Sequence, residues 1–297
     1  MTNEIRTLVL PVAIVSGVFF HVFFASLNIF TPYLIFIMLF ITLCSVDVKK
    51  MHIFMLHFWL LLFQMLLSLA LYFVLRPFNS ILAQGALVTI LTPTAASATV
   101  VAVMLGANLV NMATYTLLCN LAVVVVTPFY FSFIGTHVDL PFFLSCFVIL
   151  KKVTPLIIFP FILALVFQKF LPKITVQIIK RQNISFYLWA FALIIVIGRT
   201  IDYIYLQDSS KKFIIILMMA LSLILCIILF AVGRWVGGKY GDVVTGEQSL
   251  GQKNIIISIW MALTYLNPLA SVVPATYSLW QNIFNSYQLW RKKSLGN

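Results

Sequence analysis

Residues 92–99 read Thr-Pro-Thr-Ala-Ala-Ser-Ala-Thr and lie inside an otherwise apolar run that extends over 79–104. A second apolar run is interrupted in the same way at 249–254, which read Ser-Leu-Gly-Gln-Lys-Asn. Pro93 removes a backbone donor and clashes with the preceding turn, and Gly251 relaxes a helix. We therefore predict that each run is a membrane helix with a break. Hydrocarbon cannot pair with the freed backbone groups, so each break is expected to be buried in protein or to line a cavity. A simple kink is the alternative interpretation of Pro93.

The composition of the chain argues against a soluble enzyme. Of its 297 residues, 63% are hydrophobic and 9% are charged, against roughly 45–50% and about 25% in ordinary soluble domains. A membrane-spanning helix needs about 20 apolar residues. We therefore predict an all-α polytopic membrane protein with ten transmembrane helices and no extramembrane domain. The ten apolar runs cover 8–24, 28–46, 53–75, 79–104, 109–134, 143–170, 185–204, 213–236, 246–265 and 267–290.

The net charge of +12 arises from 19 Lys and Arg residues against 7 acidic residues. Most of these bases lie between the apolar runs and they form no patch, which argues against a nucleic-acid partner. In alternate loops, twelve bases including Arg6 fall on the side of the N-terminus and six on the other, with Lys253 set aside. Because translocated loops avoid positive charge, we expect a protein of the inner (cytoplasmic) membrane with both termini in the cytoplasm. The four cysteines and four histidines show no metal or redox spacing, so no cofactor is expected.

Two eight-residue segments of the chain have similar sequences. Residues 113–120 read Ala-Thr-Tyr-Thr-Leu-Leu-Cys-Asn, and residues 275–282 read Ala-Thr-Tyr-Ser-Leu-Trp-Gln-Asn. Five of the eight positions are identical, at an offset of 275 − 113 = 162 residues, and each copy follows one of the interrupted runs. This pattern predicts two five-helix repeats, 1–134 and 143–290. Since five is an odd number of spans, the second repeat is inverted, as in carriers with alternating access.

Polar side chains at the interruptions and in the repeated segment are candidate ligands. Where two broken helices meet, half-helix N-termini present positive dipole ends and unpaired N–H groups, which suit an anionic substrate. Hydrogen bonding between helices is the alternative role for these side chains. The predicted substrate-binding residues are Thr94, Ser97, Thr99, Asn254 and Asn282.

Lys253 is an ionisable residue inside an apolar segment. Such a placement costs at least about 2.5 kcal/mol on insertion scales, so the residue is functional by default. Snorkelling to the interface is the alternative. The acidic residues lie in loops or at span ends, with Glu247 at the entrance to the ninth span. Cation-coupled carriers usually hold Na⁺ or H⁺ with a carboxylate. We therefore expect the covalently attached ammonium group of Lys253 to supply the positive charge that a bound cation would otherwise supply.

At these residues the chain resembles the bile acid:sodium symporter family, and more closely its bacterial branch. Family members carry a Pro-Gly-Gly-Thr-Ala-Ser-Asn type stretch in the fourth span, to which 93–99 is similar in outline. They carry a Glu-x-Gly-x-Gln-Asn stretch in the ninth span, which is similar to 249–254 with Gly251 and Asn254 retained. The resemblance covers nearly the whole chain. It implies a carrier with core and panel parts, whose broken helices four and nine cross at mid-membrane beside the substrate cavity.

The departures from the family pattern concern sodium. In sodium-coupled relatives the ninth-span Glu and Gln help to bind sodium, and these positions are Ser249 and Lys253 here. The fourth-span Ser and Asn become Ala98 and Thr99. A register that aligns Glu247 with the family Glu is the alternative. The resemblance implies an ion-coupling region, or a substitute for a bound cation, formed by Lys253, Ser249, Gln252, Thr116, Asn120 and Gln64.

These patterns together predict a secondary transporter for a small organic anion, either bile-acid-like or a smaller carboxylate. Sodium coupling is expected to be altered or absent. The expected partners are the lipid bilayer and the substrate. A conventional sodium-coupled symporter is the alternative. A membrane-embedded enzyme is the alternative from another class, but no span offers paired carboxylates, metal-ligand spacing or a nucleophile with its base. A channel or a sensor is a third interpretation.

Overall fold

The computed structural model describes residue 12 and residues 15–135, 141–181 and 183–295. Within these ranges the regular secondary structure is helical, and one isolated β-bridge joins two non-helical segments. Arg6 and the first part of the span predicted over 8–24 lie outside the described residues. The α-helices are α1 (His21–Ser26), α2 (Thr31–Leu43), α3 (Met55–Leu75), α4 (Ser80–Leu91), α5 (Ala96–Met104), α6 (Leu109–Ile134), α7 (Phe142–Phe170), α8 (Pro172–Lys180), α9 (Asn183–Tyr205), α10 (Lys212–Lys239), α11 (Val243–Gly251), α12 (Ile255–Tyr265) and α13 (Val272–Leu295).

Six helical segments in the described part of the chain are long and apolar enough to cross a membrane. They are His21–Leu43, α3, α6, α7, the stretch Ile184–Tyr205 of α9, and α10. Large apolar side chains cover their outer surface; Phe143, for example, is 84% exposed. Because water does not tolerate an apolar surface of this extent, the described chain is an all-helical, multi-pass membrane protein, as its composition predicts.

Three of the predicted spans agree closely with the observed helices. The runs over 53–75 and 109–134 correspond to α3 and α6, and the run over 143–170 corresponds to α7. The runs over 8–24 and 28–46 meet in one apolar segment, in which a short 3-10 turn at Leu27–Phe30 joins α1 to α2.

The two interrupted runs are each divided into two helices, as Pro93 and Gly251 predict. The first run forms α4 and α5, with residues 92–95 between them. The second forms α11 and α12, with residues 252–254 between them. Side chains cap the outer ends of both: Asn79 accepts hydrogen bonds from the second and third residues of α4, and Asp242 accepts one within α11. These caps satisfy backbone N–H groups that the first helical turn leaves free.

The helical hairpin of α10 and α11 is held together by glycines. A Cβ atom added to Gly246 of α11 would collide with the carbonyl oxygen of Gly233 and lie 2.7 Å from Cα of Gly237, both on α10. The two backbones therefore touch with no side chain between them. This contact places the second break at a fixed depth against the long helix α10.

We expect Gly246→Ala to destabilise the protein by about 1–3 kcal/mol, because an inserted methyl group must push the two helices apart. The measurement is the midpoint of thermal unfolding of the purified protein in detergent. Gly238→Ala is the matched control, since its Cβ would meet only Val243 Cγ2, at 4.0 Å. Equal midpoints for the two variants would contradict the close packing of α10 on α11.

Candidate functional site

The two breaks lie against each other and form a short antiparallel bridge. The backbone N–H of Ala95 donates to the carbonyl oxygen of Gln252 at 3.2 Å. The N–H of Asn254 donates to the carbonyl oxygen of Pro93 at 2.9 Å. Each break thus satisfies backbone groups that the other leaves free, which hydrocarbon could not do. We refer to residues 92–95 and 252–254 together as the crossing.

Side chains satisfy further carbonyl groups beside the crossing. The Thr94 hydroxyl donates to the Ser249 carbonyl at 2.7 Å. Gln64 of α3 donates through Nε2 to the carbonyls of Leu91 and Thr92, at 2.9 and 3.1 Å. These carbonyls lie where α11 and α4 approach their breaks, so the predicted residues Gln64, Thr94 and Ser249 stabilise the interrupted backbone.

The repeated segment supplies corresponding contacts to the two breaks. Tyr115 donates its hydroxyl to Oε1 of Gln64 at 2.8 Å, and Tyr277 donates its hydroxyl to the Gly251 carbonyl at 2.6 Å. Both tyrosine side chains are fully buried. Four residues further on, Cys119 contacts the same Gln64 oxygen at 3.4 Å. The two copies of the segment therefore line the two sides of the crossing.

Gln281 is the counterpart of Cys119 in the second copy of the segment. It binds both the N–H group and the carbonyl group of Lys253. Its Oε1 accepts from the Lys253 N–H at 2.9 Å, and its Nε2 donates to the Lys253 carbonyl at 3.4 Å. The sequence did not single out Gln281, although its position in the repeated segment was the available signal.

The Lys253 side chain is enclosed by protein. It is 1% exposed, and its Nζ has no hydrogen-bond partner in the described part of the chain. Cys119 of α6 is the titratable group within its electrostatic reach. Because a snorkelling lysine extends its ammonium group to water, the snorkelling alternative does not fit this placement.

Glu247 is the fifth residue of α11, which begins at Val243, three residues before the predicted start of the ninth span at 246. Its side chain contacts Arg234 of α10 at 3.4 Å and accepts from Nε2 of Gln288 on α13 at 2.7 Å. Glu247 is 6% exposed, so this carboxylate is buried between neighbouring helices.

Three of the predicted residues form hydrogen bonds within their own helices. Thr116 donates to Met112 at 2.9 Å. Asn120 donates to Thr116 and Asn282 donates to Ser278, each at 2.7 Å and each to the carbonyl four residues earlier. The Asn120 Oδ1 atom is buried without a partner among the described residues.

The remaining predicted residues lie close to the crossing along the chain. Asn254 caps α12 by accepting from the Ile257 N–H at 3.3 Å. Gln252 is buried and donates to Gln248. Thr99 is half-buried in α5. Ser97 also lies in α5, but its side chain is outside the described part of the structure.

No protein-family model matches the chain, and no curated protein matches it. The site must therefore be interpreted from its own chemistry. The helices α5 and α12 both begin at the crossing, which places the positive ends of two helix dipoles beside a buried lysine. Such an arrangement favours a negatively charged ligand.

We expect Tyr277→Phe to destabilise the protein by about 1–3 kcal/mol, because it leaves the buried Gly251 carbonyl without its donor. Thermal unfolding in detergent measures this loss. Tyr287→Phe, on the same helix and 53% exposed, is the matched control and should unfold like the unmodified protein. If Tyr277→Phe also unfolds like the unmodified protein, the Tyr277 hydroxyl does not support the break.

Proposed function

We propose that this chain is a secondary carrier that moves a small organic anion across the membrane by alternating access. The observation that carries the proposal is the antiparallel pairing of two broken helices around a buried lysine, whose Nζ has no hydrogen-bond partner among the described residues. Broken helices that meet at a substrate site are typical of secondary transporters. The similarity of 249–254 to the ninth span of the bile acid:sodium symporter family supports the same conclusion.

Corresponding contacts in the two halves support an inverted repeat. Tyr115 binds Gln64, which binds the first break, and Tyr277 binds the Gly251 carbonyl at the second break. The two tyrosines are 162 residues apart in the sequence. The capping residues Asn79 and Asp242 stand before the first halves of the two broken spans, at an offset of 242 − 79 = 163 residues. An antiparallel bridge between equivalent segments is what a two-fold axis in the membrane plane requires.

Contacts between helix ends support the predicted alternation of sides. If the ten runs cross in turn, then residues near consecutive loops fall on opposite sides, and long-range contacts should join only ends on the same side. Each of the following contacts obeys this rule. On the N-terminal side, Gln168 binds Leu43, Cys44 and Val46, Lys292 binds Met104, and Asn111 binds Asp242; on the other side, His21 binds Asp202 and Gln84 binds Asn267.

Lys253 takes the place of a coupling cation in this proposal. Sodium requires several oxygen ligands and charge compensation, and a buried ammonium at the crossing repels a second cation. Neighbouring Ser249 brings no carboxylate, and its hydroxyl contacts the Met112 sulfur at 3.5 Å. We therefore infer transport without sodium, in which the positive end of the site receives the anion.

Replacement of Na⁺ by choline should leave transport unchanged. The measurement is uptake of radiolabelled pantoate and of radiolabelled taurocholate by proteoliposomes, with protein-free liposomes as the control. We expect saturable uptake of at least one probe, at the same rate in both salts. A strict requirement for Na⁺ would exclude the role of Lys253 as a substitute cation. Absence of saturable uptake for both probes would count against a carrier of this substrate class.

Lys253→Met should reduce that uptake by at least about tenfold, a loss of about 1.4 kcal/mol in the transport step. Thermal stability should be equal or higher, because the substitution removes the desolvation cost of a buried charge. Lys239→Met is the matched control, since Lys239 lies over the Trp235 ring at 3.8 Å on the exposed end of α10. Equal transport by the two variants would exclude a special role for Lys253.

A further inference from the structure

Glu247 is the first member of a chain of hydrogen bonds that ends at the crossing. Gln288 donates to Glu247 at 2.7 Å, and Gln248 donates to Gln288 at 2.7 Å. Gln252 in turn donates to Gln248. The backbone carbonyl of Gln252 is one of the two acceptors in the antiparallel bridge. Three side-chain amides therefore connect a buried carboxylate to the pairing of the broken helices.

The direction of every bond in this chain follows from the charge of Glu247. An ionised carboxylate only accepts hydrogen bonds, so Gln288 must turn its NH₂ group toward Glu247 and its oxygen toward Gln248. The same logic orients Gln248 and then Gln252. A protonated carboxyl group can donate, which removes the reason for this orientation. The protonation state of Glu247 thus reaches a residue five positions along the chain, roughly 7.5 Å along the helix axis.

Arg234 is the charged group that faces Glu247. Its side chain is 63% exposed, against 8% for that of Glu247, so water reaches the pair from the side of Arg234. Titratable side chains on the other helices around α11 have different contacts. His57 binds Phe54, Tyr115 and Cys119 bind Gln64, Tyr277 binds Gly251, Cys226 lies beside Tyr277, Lys292 binds Met104, Lys239 lies over Trp235, and Asp242 binds Thr245 and Asn111.

A fixed lysine cannot drive accumulation of a substrate. The Lys253 ammonium is covalently attached, so it does not cross the membrane and carries no ion gradient with it. A carrier that concentrates an anion needs a group that binds a coupling ion on one side and releases it on the other. Glu247 is a carboxylate buried near a break, in contact with both α10 and α13, and it is therefore the candidate for this group.

We propose that Glu247 is the binding site of a coupling proton, and that Gln288, Gln248 and Gln252 transmit its charge state to the crossing. This inference rests on the proposed carrier function and adds the driving ion to it. A proton bound to Glu247 weakens the ion pair with Arg234 and the contact with Gln288, so the three amides lose the charge that fixes their orientation. Inward movement of one anion with one proton is electroneutral, so the pH gradient alone supplies the energy.

The first test separates coupling from transport. In proteoliposomes with an alkaline interior, accumulation of radiolabelled pantoate or taurocholate should rise about tenfold per unit of pH gradient, the ratio that one proton supplies. Glu247→Gln should abolish this rise and retain tracer exchange at equal pH on both sides, because Gln still accepts from Gln288. Asp202→Asn is the matched control, since Asp202 also pairs with an arginine, Arg199, at 3.2 Å, but lies on α9 away from the chain of amides.

Each outcome of this test has one meaning. Exchange without any response to the pH gradient in the unmodified protein overturns the proton site and leaves the carrier. An undiminished response in Glu247→Gln also overturns it. Absence of exchange for both probes counts against the proposed function, and the second test then decides the inference.

The second test does not depend on transport. Infrared difference spectra between acidic and alkaline pH contain protonated carboxyl bands from all acidic residues. Subtraction of the Glu247→Gln spectrum from that of the unmodified protein should leave one such band, and Asp202→Asn should retain this band. If the subtraction leaves no carboxyl band, the proposal is overturned.

Discussion

The constraint on which this structure depends is that backbone polar groups inside a membrane must find partners in the protein. Two helices are broken, and each break exposes N–H and carbonyl groups. The bonds from Ala95 to Gln252 and from Asn254 to Pro93 each pair an N–H group of one break with a carbonyl group of the other. Gln64 and Tyr277 donate hydrogen bonds to further carbonyl groups beside the breaks. The breaks are therefore stable only in contact with each other, which forces the two halves of the chain to meet at one place.

The positions of the breaks could be predicted from polar stretches that also contain a proline or a glycine. Proline alone is not sufficient, since Pro128, Pro155 and Pro160 lie inside the unbroken helices α6 and α7. Pro93 and Gly251 stand at the two interruptions that the structure contains. The start of α11 could not be predicted in the same way. Hydropathy placed it at 246, whereas the helix begins at Val243 after the Asp242 cap. That difference of less than one turn makes Glu247 the fifth residue of the helix, and its burial depends on contacts with α10 and α13 that hydropathy does not show.

The candidate site was predictable where its residues are local and unpredictable where they are distant. Thr94, Ser249, Gln252, Lys253 and Asn254 all lie at or next to a break, so their polarity within apolar runs identifies them. Gln281 and Gln288 lie on α13, a helix with many polar residues; Gln281 is marked only by its place in the repeated segment, and Gln288 carries no signal. Their partners, the Lys253 backbone and Glu247, are 28 and 41 positions away. Only the tertiary fold brings such pairs together.

The two halves of the site differ in charge although they share a pattern of contacts. At the first break, Gln64, Thr94 and Tyr115 are neutral, whereas the second broken span carries both Lys253 and Glu247. Two inverted halves of identical sequence would give inward-facing and outward-facing conformations of equal free energy. If the chain alternates between two such conformations, as we propose, each conformation places the two ionisable groups of the second half in different surroundings. An anion or a proton then interacts differently with each conformation, and this difference is what a ligand requires in order to shift the equilibrium between them.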